Sequence, residues 1–383
     1  MPSHDVIIAG LGAMGSATAY HLARRGVRVL GIDRYWPPHV FGSTHGETRI
    51  IREAYFEHQW YVPLVQRAYE LWKELEAASG RTLFRQTGGL MVGPPDGILV
   101  AGARESALQH SLPYEELSAA EVRNRFPVLC PEDGMVGLLE PRAGILFPEQ
   151  CVETNLEGAR ALGATLHRGE RMGSWRAGNG VVHVTTDRGT YEAAHLVLAV
   201  GPWMGELAGF ALPLTVERQL FHWFEPSERA ELFHPDSCPI ALWEYKPDNI
   251  FATFPDLGGG VKAGIHHSGE VTTPDDVRRA VTLEDDEAMR AQMRRFVPAA
   301  SDRILGSRVC LYTNTPDHHF VIDRHPGHRE VIIASPCSGH GFKFSSAIGE
   351  VLADLVTIGE SWMDLTLFEA RRFSSDEPMD MNT

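Results

Sequence analysis

The chain opens on a compact alternation of apolar runs and glycine turns. Asp5-Val6-Ile7-Ile8-Ala9 is a short β-branched run that reads as a strand. It meets Gly10-x-Gly12-x-x-Gly15, and Ser16 to Arg25 follows with the pattern of a helix. Gly26 closes that helix, Val27 to Ile32 reads as a second strand, and Asp33 stands at its end. In such a unit the first glycine makes the tight turn, the second lets a pyrophosphate approach the backbone, and the third lets helix pack on strand. The free N–H groups of the helix then face the phosphates. An acid at the end of the second strand suits an unphosphorylated ribose, as in FAD or NAD.

The pattern further along divides the chain. Two prolines, Pro37 and Pro38, make residues 35–41 a loop. Tyr61, Leu64, Val65, Ala68, Leu71, Trp72 and Leu75 recur at helical spacing. Thr87 to Pro94 reads as a strand, and residues 95–145 as helices and loops, with a capped helix start at Ser118-Ala119-Ala120-Glu121. A helix is expected from Pro148 to Leu162, a hairpin over Val181 to Glu192, and a separate buried strand from His195 to Val200. Residues 212–309 carry aromatic-rich strands and one charged helical stretch, Leu283 to Phe296. After Cys310-Leu311-Tyr312-Thr313, strands at Phe320 to Asp323 and Val331 to Ala334 lead into Ser338-Gly339-His340-Gly341 and a helix to about Leu355. The expected fold is α/β: a Rossmann-like nucleotide domain from residues 1–85, 146–211 and 309–383, and a largely antiparallel β domain from 86–145 and 212–308.

The 383 residues, 43% of them hydrophobic, suffice for two packed domains. A net charge of −15 argues against nucleic acid as a partner. No apolar run reaches membrane-spanning length, and Met1-Pro2-Ser3-His4 leads straight into the first strand without a signal peptide, so a cytoplasmic location is expected. Five cysteines without CxxC spacing give neither a disulfide framework nor a zinc site.

Two clusters invite chemistry. Arg49 and Arg52 sit with His45 just beyond the nucleotide unit, either as an anion clamp or as surface arginines paired with Glu47 and Glu53. Period two puts Lys262, Gly264 and His266 on one face of a strand, lining a cavity or facing solvent.

At Pro37-Pro38-His39, Gly42-Ser43-x-His45-Gly46-x-Thr48-Arg49-Ile50-Ile51-Arg52, Cys310-x-Tyr312-Thr313, Pro316-Asp317 and Ser338-Gly339-His340-Gly341-Phe342-Lys343-Phe344, the chain resembles the monomeric sarcosine oxidase and N-methyltryptophan oxidase family. That family of covalent flavoproteins lies within the D-amino acid oxidase-like superfamily, and the matching segments span nearly the whole chain. The resemblance implies FAD held by a thioether from Cys310 to the flavin 8α-methyl carbon. It implies a substrate carboxylate bound by Arg52 and Lys343, with Tyr312 and His266 beside the amine. Arg49 and Lys262 would be cations on opposite faces of the flavin, with Lys262 activating O2, and His45 would belong to the catalytic set. FAD would contact Gly10, Gly12, Ala13, Met14, Gly15, Asp33, Arg34, Ser43, Thr48, Met172, Gly201, Trp203, Gly339, His340, Gly341, Phe342 and Lys343.

The implied reaction is oxidation of the secondary amine of an N-methyl amino acid by O2, giving the amino acid, formaldehyde and hydrogen peroxide, by a monomeric enzyme. Two departures bear on substrate. Thr44 stands where the family commonly has a second histidine. Phe251-Ala252-Thr253-Phe254-Pro255 stands where it has a Tyr-Tyr pair before Gly-Phe-Pro, so Ala252 would enlarge the substrate site. Sarcosine, N-methylalanine, N-methyltryptophan, pipecolate and proline are all open on this reading. A flavin dehydrogenase using another acceptor is a further alternative, which Lys262 disfavours; the joint match of Cys310, Arg52 and Lys343 argues against a non-catalytic dinucleotide binder, and a nicotinamide enzyme leaves Cys310 without a role.

Overall fold

The computed structural model describes residues 4–267 and 269–373. Its first sheet has eight strands. Thr165–Arg168, Val29–Asp33, His4–Ala9, Thr190–Leu198 and His328–Ser335 lie in that order and run parallel, and Val321–His325 closes one edge antiparallel. The four last residues of His4–Ala9 and all of Val29–Asp33 are buried, as expected of parallel strands covered on both faces. The expected hairpin strand and the separate buried strand are one element. Thr190–Leu198 pairs antiparallel with Val181–Thr186 through its first half and parallel with His4–Ala9. Its burial changes midway, so the change of pattern that looked like a boundary is a change of neighbours.

Helices Ala13–Arg24, Pro148–Ala161 and Ser345–Thr357 cover one side of this sheet, and Tyr61–Ser79 packs on the last of them. Residue 349 must be glycine where two helices cross: an added Cβ would lie 2.6 Å from Ala17 Cβ.

The second sheet has nine strands. Thr215–Phe224, Val261–Ile265, Asn249–Phe254 and Ile240–Lys246 are antiparallel neighbours, extended by Gly89–Gly93, Val136–Glu140 and Glu115–Ser118. Residues 95–145 thus supply strands as well as the helices Ile98–Gln109 and Ala119–Arg125. Val136–Glu140 is almost wholly buried and lacks the alternation that marks a one-sided strand. Ser118 caps its helix in a full capping box with Glu121.

The segment around Cys310 corrects an expectation. Ile304–Asn314 does not rejoin the nucleotide sheet; it pairs antiparallel along Thr215–Phe224, and the chain returns only at Val321–His325. A three-stranded sheet, Arg49–Ile51 with Gly144–Leu146 and Phe84–Gln86, stands apart from both large sheets.

Candidate active site

A cleft with about 2360 Å³ of empty space, part of it open to solvent, runs from the first glycine turn to the face of the nine-stranded sheet. At its nucleotide end the turn is fixed by sterics. A Cβ on Gly10 would lie 2.3 Å from Ala199 O, and one on Gly15 would lie 1.8 Å from Gly10 O. Gly12, by contrast, faces the cleft, and the nearest atom to its added Cβ is Thr44 Oγ1 at 3.8 Å. Asp33 accepts from the backbone N–H of Leu11 and of Tyr35, both at 2.7 Å, so its carboxylate ties the second strand to the turn. Burial raises its pKa against those two bonds. Ala13, Met14, Met172, Gly201 and Trp203 also line this end. Arg34 lines it too, with its guanidinium 2.7 Å from Asp275, which also accepts from the Trp203 indole.

The register of the nine-stranded sheet sets the floor of the other end. Directly paired residues share a face, and so do residues two apart on one strand. Lys262 pairs with Trp223 and Phe254, Gly264 with Ala252, Ala252 with Leu242, and Gln219 with Cys310. Lys262, Gly264, His266, Ala252, Cys310 and Tyr312 therefore share one face. Lys262 is buried, so this strand face is not the solvent side. Its ammonium donates to Gly46 O at 2.6 Å and to Thr48 O and Oγ1 at 2.9 Å, with the Phe221 ring centre 4.1 Å away. Burial and Arg49 push its pKa well down, while three oxygen acceptors favour the charged form. His266 Nδ1 lies 3.1 Å from the Tyr312 hydroxyl, and burial and neighbouring cations hold the imidazole neutral.

Across the cleft, Arg52 is 2% exposed. Its partner is neither Glu47 nor Glu53: Nη2 donates to Glu57 Oε2 at 2.6 Å and Nη1 to Ala54 O at 2.7 Å. The rings of Tyr55 and Phe56 lie 4.3 and 4.7 Å from the guanidinium carbon. Lys343 donates to His340 O at 2.8 Å and to the Tyr55 hydroxyl at 3.3 Å. Burial and Arg52 lower it to about 7. His340 Nδ1 meets the same hydroxyl at 2.5 Å while Nε2 meets His318 O, and burial brings it to about 3. Two buried cations and a network of rings thus face one wall of the cavity.

Residues 5–355 match the family of FAD dependent oxidoreductases. The chain belongs to that family. It is 42% identical to the monomeric sarcosine oxidase of Streptomyces avermitilis over 379 residues, covering 98% of this chain and 99% of the relative. It is 35% identical to the N-methyl-L-tryptophan oxidase of Yersinia pestis over 374 residues, covering 97% and 99%. Among solved structures, the fold is that of NikD, an unusual amino acid oxidase essential for nikkomycin biosynthesis, with a TM-score of 0.84 at 24% identity over 96% of this chain and 98% of the other. L-proline dehydrogenase from P. horikoshii gives the same TM-score at 23% identity, covering 97% and 98%.

The cleft of this FAD dependent oxidoreductase suits the dinucleotide. The Gly12 cradle is open, and Ser43 Oγ and His45 Nε2 are buried without a hydrogen-bond partner among the described residues. Ser43 lines the cleft; His45 lies behind it, brought down to about 3 by burial and Arg49. At the far end Gly339, His340, Gly341, Phe342 and Lys343 line the wall ahead of helix Ser345–Thr357, whose N-terminal side favours negative charge. A Cβ on Gly339 would lie 2.5 Å from the Tyr312 ring and 2.6 Å from that of His266.

Cys310 is 1% exposed, its sulfur 3.5 Å from Ser43 O and 3.7 Å from Arg49 Nη2. Burial raises the thiol's pKa and Arg49 opposes this. Arg49 also donates to Thr48 O and Ser43 O. Gly15, His45, Thr48, Lys262 and Cys310 stand just behind the lining; every other expected site residue is on it. Sequence reasoning missed Glu57 and Phe221. The one available signal for Glu57 was an acid five residues past Arg52, separated by the aromatic pair Tyr55-Phe56, and Glu53 competed for the same role.

Proposed function

We propose that this enzyme oxidises the secondary amine of an N-methyl amino acid of the sarcosine type with O2, releasing the amino acid, formaldehyde and hydrogen peroxide, as a cytoplasmic monomer. The observation that carries this reading is the buried pair Arg52 and Lys343 on one wall, with His266 and Tyr312 on the sheet face of the same cavity. The activity of the sarcosine and N-methyltryptophan oxidases it resembles supports it.

The chemistry supplied by bound FAD is acceptance of two electrons from the amine and their return to O2. The protein's residues do the rest. The turn from Gly10 to Gly15, Asp33, Ser43 and Trp203 hold the dinucleotide, and Cys310 is its covalent attachment point. Arg52 and Lys343 bind the substrate carboxylate. Glu57 stands where that carboxylate would pair, so binding requires it to yield one arm of the fork. The neutral His266 and Tyr312 stand beside the amine, whose ammonium must lose its proton to solvent before oxidation, so the rate rises with pH through the bound amine's pKa. Lys262 is a fixed charge for reducing O2.

One observation favours larger substrates. Gly264, Ala252 and Leu242 form one cross-strand row on the cavity face, two of them nearly without side chains. The place of a side chain on Gly264 is taken by Leu220 O and the Phe221 ring, 2.9 and 3.0 Å from an added Cβ, so it is the small side chain of Ala252 that leaves room for an apolar substituent, as in N-methylalanine, N-methyltryptophan or a cyclic amino acid.

Acid precipitation and anaerobic titration test the reading together. Yellow colour that stays with the acid pellet, and that bleaches in the native protein on adding sarcosine, is the expected result. Colour that stays but does not bleach with sarcosine, yet bleaches with N-methyltryptophan or pipecolate, selects the larger substrates. A protein that binds no FAD overturns it.

A further inference from the structure

We propose that Glu140, which lies outside the cavity, is a positioning residue that sets Arg52 for the substrate carboxylate. The inference rests on the reading of Arg52 above. Glu140 ends strand Val136–Glu140 and is 1% exposed. Its Oε1 accepts from the backbone N–H of Glu53 at 2.7 Å and its Oε2 from that of Ala54 at 2.8 Å. Ala54 in turn gives its carbonyl to Arg52 Nη1. One carboxylate thus fixes two successive peptides of the loop that holds its own arginine.

Other contacts make this a built clamp. Ser106 donates to Tyr55 O at 2.5 Å, and a Cβ on Gly102 would lie 2.8 Å from Phe56 O, so helix Ile98–Gln109 presses on the next two residues. Residues 53–56 are held, and Glu57 is the first beyond them. The arrangement lets Glu57 yield while Arg52 keeps its place.

The clamp demands a carboxylate. Two N–H donors need an acceptor on each oxygen, and an amide would set its NH2 against one of them. An orphaned buried donor is costly, and the loop would move to relieve it. Burial raises Glu140 to about 7 against these two N–H bonds. The charged and titratable groups facing it are Arg52 and Glu53 from the loop and Tyr69 from helix Tyr61–Ser79, while Lys73 of that helix and Arg142 of the turn after its own strand act on Glu53. Protonation of Glu140 below that pH would replace an acceptor by a donor and loosen the clamp.

The test is binding of acetate to the oxidised holoenzyme, read from the flavin absorbance, in wild type, Glu140→Gln, Glu140→Asp and Glu53→Gln. Glu140→Gln is expected to weaken acetate binding about tenfold or more. In steady state it raises KM for the amine while kcat at saturation changes much less. Glu140→Asp keeps two acceptors on a shorter arm and recovers part of the affinity. Glu53→Gln removes the same charge without touching the clamp and leaves affinity near wild type. An unchanged Kd in Glu140→Gln overturns the proposal, as does an equal loss in Glu53→Gln, which would make the effect one of charge alone. If Glu140→Gln does not fold, Glu140→Asp decides, since an unchanged Kd there also overturns it. Failure of the wild type to bind acetate would instead count against Arg52 and Lys343 as a carboxylate site.

Discussion

Lys262 has little contact with water and three oxygens around its nitrogen, so its hydrogens are already assigned to Gly46 and Thr48. It can act on the cleft through its field but not by giving away a hydrogen bond. Lys262→Met, with a side chain of similar length and no charge, should therefore leave bleaching by the amine nearly intact and slow reoxidation by O2 about 100-fold or more. Stopped-flow separation of the two half-reactions checks this; equal slowing of both would assign Lys262 to the amine instead. Lys343 behaves differently because its pKa, about 7, falls in the working range. Burial and Arg52 lower it and Glu57 raises it. Between that value and the ordinary one the unfolded chain holds more protons than the native protein, so this group makes stability rise with pH across that window. Carboxylate binding follows the opposite sign, since the native cation is lost as pH rises through about 7. Acetate affinity should fall by up to about tenfold per pH unit above that point, and Lys343→Met should lose that limb. A limb that persists in Lys343→Met would assign the titration elsewhere.

At the scale of elements, the crossing of helices Ala13–Arg24 and Ser345–Thr357 carries the glycine turn of the nucleotide site on one and the lysine wall on the other. Their approach depends on Gly349, where a Cβ would meet Ala17 and Thr18 at under 3 Å. Gly349→Ala should cost about 1–3 kcal/mol by overpacking, seen as a lowered thermal midpoint, with looser FAD retention because the glycine turn moves with its helix. An unchanged midpoint would mean that the helices separate freely. These two helices were legible in the sequence because local periodicity and glycine punctuation define them. So was the common face of Lys262, Gly264 and His266, which period two dictates. What the sequence withheld was pairing. Val136–Glu140 has no alternation to betray it, Thr190–Leu198 changes neighbours midway, and the strand of Cys310 finds its partner far back at Gln219. Glu140 and Glu57 were hidden for the same reason: their roles lie in contacts that no spacing encodes, with Glu53 and Glu47 as nearer and equally acidic alternatives.

At the scale of the whole molecule, the cofactor site is shared between two large sheets that one hydrophobic cluster joins. That cluster takes Val6, Ile8 and Val197 from the parallel sheet and Met91, Leu138, Leu242 and Ile250 from the other, while Ile7 and Leu30 pack in a cluster of the first sheet and Leu90, Trp243 and Phe251 in a cluster of the second. The cleft lining draws on both, from Gly10 on one side to Ala252 on the other. FAD bound across that cleft would add a brace to this packing, and Cys310, on the second sheet, would fasten to it a ring whose phosphates sit on the first. Cys310→Ser should convert that fixed brace into a dissociable one. Acid should then release the flavin into the supernatant, and the thermal midpoint should become dependent on added FAD. Mass action predicts about 2.7 kcal/mol of stabilisation at 100 times Kd, with no such dependence in the fully flavinylated wild type. Because the amine and carboxylate contacts do not involve the sulfur, anaerobic bleaching of FAD-loaded Cys310→Ser should survive at a reduced rate, as the reduction potential falls with loss of the thioether. Flavin retained in the acid pellet of Cys310→Ser would place the covalent link on another residue. A midpoint indifferent to FAD would show that the sheets hold together without it.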